Sequence, residues 1–387
     1  MRKKRVLLLS EGFGTGHTQA AHALASGMKK LHPHLQCRVI ELGNFLNPTI
    51  GPFILSTYRK TVSTSPAIIG LLYRNRYDKS LNRLTQLALH RIFYTHAAQV
   101  ISQLKPDVII CTHPITNSII SRLRMLGMDT PLITLITDYD VHGAWVSPEV
   151  NHYLASSPRV KKLLLERGVL PSSIQTTGIP VHPNFWVRGD KEQLRKELNL
   201  QKMPTVLIMG GGWGLTMKPD LLKQLASWAD RIQLIFCMGS NIKLLEKMKE
   251  NPMFCHPNII ILGYNHQIDK LMDVSDLLIT KPGGMTCTEG LAKGIPMLFF
   301  QAIPGQEEQN SQFFVNRGFA ETMHSPHVVH KWFQMLSTQY DKIETLRQQD
   351  QHIEPYLQPQ YCAQTVLDIV HEQPHTTTTY SITGSYL

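Results

Sequence analysis

No apolar run in this 387-residue chain approaches the roughly 20 residues that a membrane-spanning helix requires. Its six cysteines, Cys37, Cys111, Cys237, Cys255, Cys287 and Cys362, are scattered without C-x-x-C or C-x-x-H spacing. That argues against a zinc site or a disulfide framework and fits a reducing compartment, where each thiol is a small core residue. Low-complexity tracts are missing too. With 42% hydrophobic and 18% charged residues, the composition is that of a globular chain long enough for two domains. The opening "MRKKRVLLLSEG" has the basic head of a secretory signal, but its apolar core is only "VLLL" and no small-residue cleavage site follows. It reads as the first strand of a cytoplasmic protein.

Acidic residues are scarce in one stretch above all. Net charge is +10, and residues 1–150 hold 17 Lys and Arg against 8 Asp and Glu. From Pro52 through Lys105 there are eight basic residues and one acid, Asp78, interleaved with aromatic and aliphatic side chains. Such a mixture suits an anionic membrane surface. It suits equally a pair of amphipathic helices with a solvated basic face. Charge of this sign would also attract nucleic acid, but no reading motif accompanies it and no nucleic-acid partner is expected.

Strand-like and helix-like runs alternate along the chain, the pattern of open parallel sheets flanked by helices. "KRVLLLS", "CRVIEL", "DVIICTHP" and "PLITLITD" form a first such unit; "PTVLIMGGGWG", "IQLIFCMG", "NIIILGY", "DLLITKPGG" and "IPMLFFQ" form a second. Each unit opens with a strand running into a glycine cluster, an architectural echo rather than a sequence repeat. The Pro-rich, then charged, segment 176–204 reads as the interdomain linker. The expected domains are residues 1–185 and 186–372, followed by a polar tail at 373–387. Ligands of doubly wound sheets bind beyond the carboxyl ends of the strands, so two such domains set face to face would share a cleft lined by both glycine loops.

Three motifs carry chemistry. In "SEGFGTGHTQAAHAL" the turn Gly12-Phe13-Gly14-Thr15-Gly16 presents His17 where a helix begins. The helix dipole opposes protonation there and favours a neutral ring, suited either to a general base or to a plain helix cap. In "TKPGGMTCTEGLAKGIPMLFFQAIPGQEEQN", a Pro-Gly-Gly turn opens a helix at Met285-Thr286. Backbone N–H groups at such a start, from Gly283, Gly284, Met285 and Thr286, suit a diphosphate. Glu289, one turn on, suits ribose hydroxyls, and Gln306, Glu307 and Asn310 crowd a loop suited to a hydroxyl-rich ligand. The third motif, "GGGWG", includes Gly211 and Gly212 and reads as a phosphate cradle or a tight strand-to-helix turn.

Several separated segments together resemble a known family. They are "GFGTGH", "THP" at 112–114, "TDYDVHGAW" at 137–145, "TGIPV" at 177–181, "KPGG" with Glu289, and "PGQEEQN". This ordered set is similar to the processive diacylglycerol glycosyltransferases of Gram-positive bacteria, in glycosyltransferase family 28. Plant monogalactosyldiacylglycerol synthase and the peptidoglycan lipid-intermediate N-acetylglucosaminyltransferase are relatives of that family. The resemblance implies the GT-B fold, two facing Rossmann-like α/β domains with an interdomain cleft. It implies a UDP-glucose donor on the C-terminal domain, and diacylglycerol and its glucosylated product as acceptors on the N-terminal one. It further implies inversion at the anomeric carbon, no metal or other cofactor, and contact with anionic lipids at the cytoplasmic face of the membrane. UDP-galactose is the alternative donor.

Residue roles follow from the same resemblance. His17 is the general base, and Asp138 orients it or binds the acceptor hydroxyl. Gly14, His113 and Trp145 are assigned to the acceptor, although His113-Pro114 serves equally as a structural turn. Gly16, Gly211 and Gly212 join the donor contacts given above, and the family places "GGGWG" near the diphosphate. Trp213 departs from the small or polar residue expected in that loop, Asp140 has no assigned role, and Tyr264 is a candidate for the uracil ring.

Rival readings leave features unexplained. Asp138-x-Asp140 would suit a metal–nucleotide site, but enzymes of that class have a single nucleotide sheet. A dehydrogenase would use Glu41 at the end of its second strand, yet the glycines are spaced G-x-G-x-G rather than G-x-G-x-x-G. A UDP-sugar epimerase has no use for a basic, aromatic face. A membrane-bound UDP-sugar sensor would dispense with His17.

Overall fold

A computed structural model describes residues 3–49, 51, 53, 56, 96–212, 214, 217–348 and 354–372. Most of the basic stretch from Pro52 to Lys105, together with Trp213 and the tail 373–387, lies outside the described residues. The chain divides into one unit of Met1–Pro183 with Pro355–Leu387 and a second of Asn184–Glu354.

The first unit carries six parallel strands: β1 (Arg5–Ser10), β2 (Gln36–Glu41), β3 (Val108–Cys111), β4 (Leu132–Leu135), β5 (His152–Ala155) and β6 (Ile174–Thr176). They lie in the order β2-β1-β3-β4-β5-β6. β3 and β4 are buried along their whole length, which is why "VIIC" and "LITL" are continuously apolar or small. β2, at the edge, is mostly part-exposed, and its "QCRVIE" is correspondingly mixed. Helices α1 (Thr15–Leu31), α2 (Leu42–Leu46), α3 (Ala97–Leu104), α4 (Pro114–Met125) and α5 (Pro158–Glu166) connect these strands. α1 buries Ala20, Ala21, Ala23, Leu24, Ala25 and Met28, and its small side chains suit close packing.

The second unit repeats the plan with β7 (Thr205–Met209), β8 (Gln233–Cys237), β9 (Ile259–Leu262), β10 (Leu277–Thr280), β11 (Met297–Phe299) and β12 (Ala320–Thr322). Their order is β12-β11-β10-β7-β8-β9, again parallel throughout. Around them lie α6 (Lys191–Glu197), α7 (Pro219–Ala226), α8 (Ile242–Glu250), α9 (Ile268–Val274), α10 (Gly284–Ala292), α11 (Gln306–Asn316), α12 (Pro326–Thr338) and α13 (Tyr340–Gln348). Val206, Ile208, Leu234, Phe236, Leu277 and Ile279 project from the sheet into a core closed by Trp332, Phe333 and Leu336 of α12.

Both units are doubly wound α/β, as the GT-B class requires. Two features differ from the sequence reading. The segment 176–204 is not a free linker, because its charged half is α6, docked onto the second unit. Lys191 and Arg195 both reach the buried carboxylate of Asp276. The chain after Pro355, assigned above to the second domain, returns to the first unit. There α14 (Tyr361–Glu372) packs on α1, and Lys4 Nζ donates to the Val370 carbonyl at 2.6 Å. Gly178, at φ +74°, makes that return possible: a Cβ there would stand 2.1 Å from the Tyr356 carbonyl oxygen.

Each sheet has one point where the order of strand addition reverses, although every strand runs in the same direction. In the first it lies between β1 and β3, in the second between β7 and β10. Doubly wound sheets take ligands at such a point, in the crevice outside the carboxyl ends of the strands.

Candidate active site

At the β1/β3 reversal the chain leaves Ser10, turns through Gly12 and Gly14 and enters α1 with His17 in its first turn. Gly14 is the N-cap, in extended backbone, and a Cβ there would stand 3.6 Å from His17 Cδ2, an ordinary contact. Nothing in the backbone therefore demands glycine at Gly14. Gly16 lies in the first turn beside His17 and is partly exposed. Nδ1 of His17 lies 2.6 Å from Oγ1 of Thr137, just beyond the end of β4. Burial lowers the His17 pKa to about 4, His142 pushes the same way, and a backbone hydrogen bond with Thr112 works in the opposite sense.

His113 comes from the loop after β3. Its Nδ1 accepts the Ile115 N–H at 3.2 Å, so it caps α4, and its ring meets that of His17 edge-on at 4.8 Å. The capping contact gives His113 the structural role of its two readings. His113 is held well below the ordinary imidazole range, first by burial and then by His17 and His142. Burial also takes His142 down to about 4, against the pull of Asp140. The rings are held neutral first because burial penalises the charged form of each, and for His17 and His113 also because a proton on a neighbouring ring would repel a second.

Trp145 is fully buried, 6.0 Å from the His17 ring and 6.3 Å from that of His142. Its carbonyl accepts from Asn117 Nδ2 at 2.9 Å. The indole thus backs the two imidazoles rather than presenting a surface to an acceptor. Asp138 is buried, and its carbonyl oxygen accepts from Ser156 Oγ at 2.5 Å. Thr137, which the sequence reading passed over, is the side chain placed on Nδ1. Only its position, one residue before "DYD" at a strand end, hinted at this. Glu41, the acid a dinucleotide would use, is engaged by Thr18 Oγ1 and Asn44 Nδ2, both at 2.7 Å.

At the β7/β10 reversal of the other sheet, β10 delivers Lys281, Pro282 and Gly283 to the start of α10. The Lys281 carbonyl accepts the Gly283 N–H at 2.8 Å, closing the turn, and Gly283 is the N-cap of α10. Gly284, Met285 and Thr286 form the first helical turn, where N–H groups are free of intrahelical partners. Asn310 is completely buried and donates to the Pro282 carbonyl at 3.2 Å, bracing the turn from α11. Glu289 lies on the second turn and is partly exposed. Burial pushes its carboxyl up to about 8, with Asp269 adding to the rise.

The other loops of this crevice converge on Lys281. Its Nζ pairs with Glu307 Oε1 at 2.5 Å, while Glu307 Oε2 accepts the Ile303 N–H at 2.9 Å. Gly211, at φ +75°, passes beneath the lysine stem, and a Cβ there would stand 2.7 Å from Lys281 Cε. Gly212 is fixed by its carbonyl, which accepts from the N–H and Oγ of Ser240 at 3.1 and 3.0 Å. Gln306 opens α11 and is partly exposed. Tyr264, beyond β9, is 59% exposed. Lys281 was quoted within "KPGG" but given no role, because its partner Glu307 lies 26 residues away in sequence.

Among the described residues, no group of three or more His, Cys, Asp or Glu side chains is placed to hold a metal ion, and no helix is long and apolar enough to cross a membrane.

Residues 17–181 match the monogalactosyldiacylglycerol (MGDG) synthase family, and residues 205–355 match the glycosyltransferase family 28 C-terminal domain. Over 319 residues the chain is 31% identical to the processive diacylglycerol beta-glucosyltransferase of Bacillus subtilis (strain 168), covering 82% of each chain. The chain belongs to the family of processive diacylglycerol beta-glucosyltransferases. A relative of the same name from Bacillus pumilus (strain SAFR-032) is 28% identical over 373 residues, 96% of this chain and 95% of that one. The family is the one its motifs resembled.

Three solved structures share the fold. Acinetobacter baumannii MurG superposes with a TM-score of 0.57 at 18% identity, covering 95% of this chain and 99% of that one. Anabaena Alr3699/HepE in complex with UDP-glucose gives 0.57 at 15% identity, covering 95% and 98%. The UDP-GlcNAc 2-epimerase from Neisseria meningitidis bound to UDP-GlcNAc gives 0.58 at 13%, covering 95% and 99%. A fold shared with an epimerase does not by itself choose the reaction. Membership of the family does: the chain is a glycosyltransferase.

Proposed function

We propose that this enzyme transfers glucose from UDP-glucose to the hydroxyl of diacylglycerol, and again to the monoglucosyl product. In this reading it works at the cytoplasmic face of a membrane, with inversion and without a metal. The observation that carries the reading is the neutral His17 imidazole with Thr137 on Nδ1. A lipid hydroxyl is a poor nucleophile, and a positioned base raises its reactivity. For Nε2 to take the proton, Nδ1 carries its own hydrogen and donates it to Thr137 Oγ1. The acceptor oxygen then bonds to C1 of the sugar as the bond from C1 to the diphosphate oxygen breaks. The acceptor proton goes to His17 and the electron pair leaves with UDP. The start of α10 favours the charge that develops on that leaving group.

The names of the relatives support the acceptor and the sugar. A beta product made from an alpha-linked UDP-sugar is an inversion, which a single displacement accounts for. The exposed rings of Phe45 and Phe53, at the edge of the basic stretch, support the membrane reading.

The test is a transfer assay with purified protein, EDTA, diacylglycerol in anionic or neutral vesicles, and either UDP-glucose or UDP-galactose. Glucolipid formed only from UDP-glucose, faster on anionic vesicles, is the expected result. His17→Ala should lose about 100-fold or more in turnover, within the range contributed by a general base. Galactolipid alone would reassign the donor sugar. UDP-sugar binding with no lipid product would favour the sensor reading.

A further inference from the structure

We propose that Lys281 is the cation that binds the donor's outer phosphate and neutralises it as it leaves. The proposal rests on the donor reading above and goes beyond it by naming a side chain. A departing diphosphate gains negative charge, and a metal-free site has to offset it with protein groups. A helix start contributes only about half an elementary charge. Lys281 is a full charge in the residue next to the turn that begins α10.

Its surroundings set it apart from a purely structural lysine. α10 has a lysine near each end, and both are ion-paired. Lys293 at the C-cap pairs with Asp273 at 2.7 Å, and their side chains are 1% and 5% exposed. Lys281 and Glu307 keep 19% and 12% of their side-chain surface open, at the β7/β10 crevice. Two other elements hold Lys281 there. Gly211 leaves room for its stem, and Glu307, itself anchored by the Ile303 N–H, holds its head. An ammonium has three donors, so it can keep Glu307 and still give a hydrogen bond to a phosphate oxygen. In this arrangement Glu307 acts on the donor through Lys281.

The experiment measures UDP and UMP affinities by titration calorimetry for the wild type, Lys281→Met, Lys281→Arg and Glu307→Gln, with melting temperatures as a check on folding. Lys281→Met should weaken UDP about tenfold or more, the scale of one charge-assisted hydrogen bond, while leaving UMP within about twofold. Lys281→Arg should recover most of the UDP affinity, and Glu307→Gln, which keeps the cation, should lose less than Lys281→Met. Equal losses for UDP and UMP, or Glu307→Gln losing as much as Lys281→Met, would assign the effect to a broken ion pair and overturn the proposal. Unchanged UDP affinity in Lys281→Met would overturn it as well. Should Lys281→Met not fold, Lys281→Arg and Glu307→Gln still decide: a loss confined to UDP and larger in Glu307→Gln than in Lys281→Arg supports the proposal, and any other pattern overturns it. A wild type that binds neither nucleotide would instead refute the donor reading itself.

Discussion

Nδ1 of His17 lies 2.6 Å from Oγ1 of Thr137, so a residue 120 positions away in sequence fixes the orientation of the ring. Thr137→Val keeps the shape of the side chain and removes the acceptor for Nδ1–H. Turnover should fall by about tenfold to 100-fold, part of what a general base supplies, with little change in KM for the donor. Thr137→Ser should restore most of the loss. Equal kcat in Thr137→Val and wild type would show that the hydroxyl does not set the ring.

The neutral histidine cluster gives an unusual pH profile. A solvated imidazole titrates near 6.5, but His17 is lowered to about 4. With the UDP-sugar saturating, so that donor binding no longer contributes, kcat should therefore show no inflection near pH 6.5 and remain flat down to about pH 5. Stability follows the sign of the same shift. Between pH 6.5 and about 4 the unfolded chain binds protons that His17, His113 and His142 refuse in the fold, so stability is lost as pH falls through that window. Denaturant midpoints should drop across it, and a midpoint constant from pH 7 to 4 would contradict the burial of these rings.

What the sequence disclosed was local. Strands such as "RVLLLS" and "LLIT" are apolar runs that lead into glycine turns, and together with those turns they show where α1 and α10 begin. β5 "HYLA", β6 "IQT" and β12 "AET" are not legible because polar residues interrupt so short a strand, whereas the equally short β3, β9 and β11 are continuous apolar runs. Thr137 on His17 and Glu307 on Lys281 are contacts across strands, which no spacing rule encodes. The return of α14 to the first unit depends on Lys4 meeting the Val370 carbonyl, a contact spanning 366 positions.

If Glu289 takes the donor's ribose, as proposed, donor binding should depend on pH. Its carboxyl, raised to about 8, is largely protonated at neutral pH, whereas accepting hydrogen bonds from two ribose hydroxyls calls for the carboxylate. UDP binding at pH 7 should therefore release a proton, seen as a calorimetric heat that changes with the ionisation enthalpy of the buffer. Affinity should rise from pH 6.5 to 8.5, and Glu289→Gln should remove both effects. Because the folded pKa is raised, the same group contributes stability below about pH 4.5 that is lost as pH rises through 8.

Asp276 holds the segment that leads into the second unit. Its carboxylate is 1% exposed and accepts from the Thr205 N–H at 2.9 Å and from Tyr340 OH at 2.6 Å. Lys191 donates to it as well, and Arg195 and Arg347 stand 3.6 and 3.8 Å away. One buried anion thus gathers α6, the start of β7, and α13. Removing one member of such a cluster leaves the others' charges unpaired, at a cost of about 3–5 kcal/mol. Asp276→Ala should lower the unfolding free energy of the second unit by that amount, read from its denaturant midpoint and slope, and Asp276→Asn by less, since the amide oxygen still accepts from Thr205. The histidine cluster belongs to the other unit, so its tryptophan neighbour, Trp145, gives an internal control by fluorescence in a background where the other four tryptophans are changed to phenylalanine. A transition reported by Trp145 that moves as far as that of the second unit would show the two units unfolding as one.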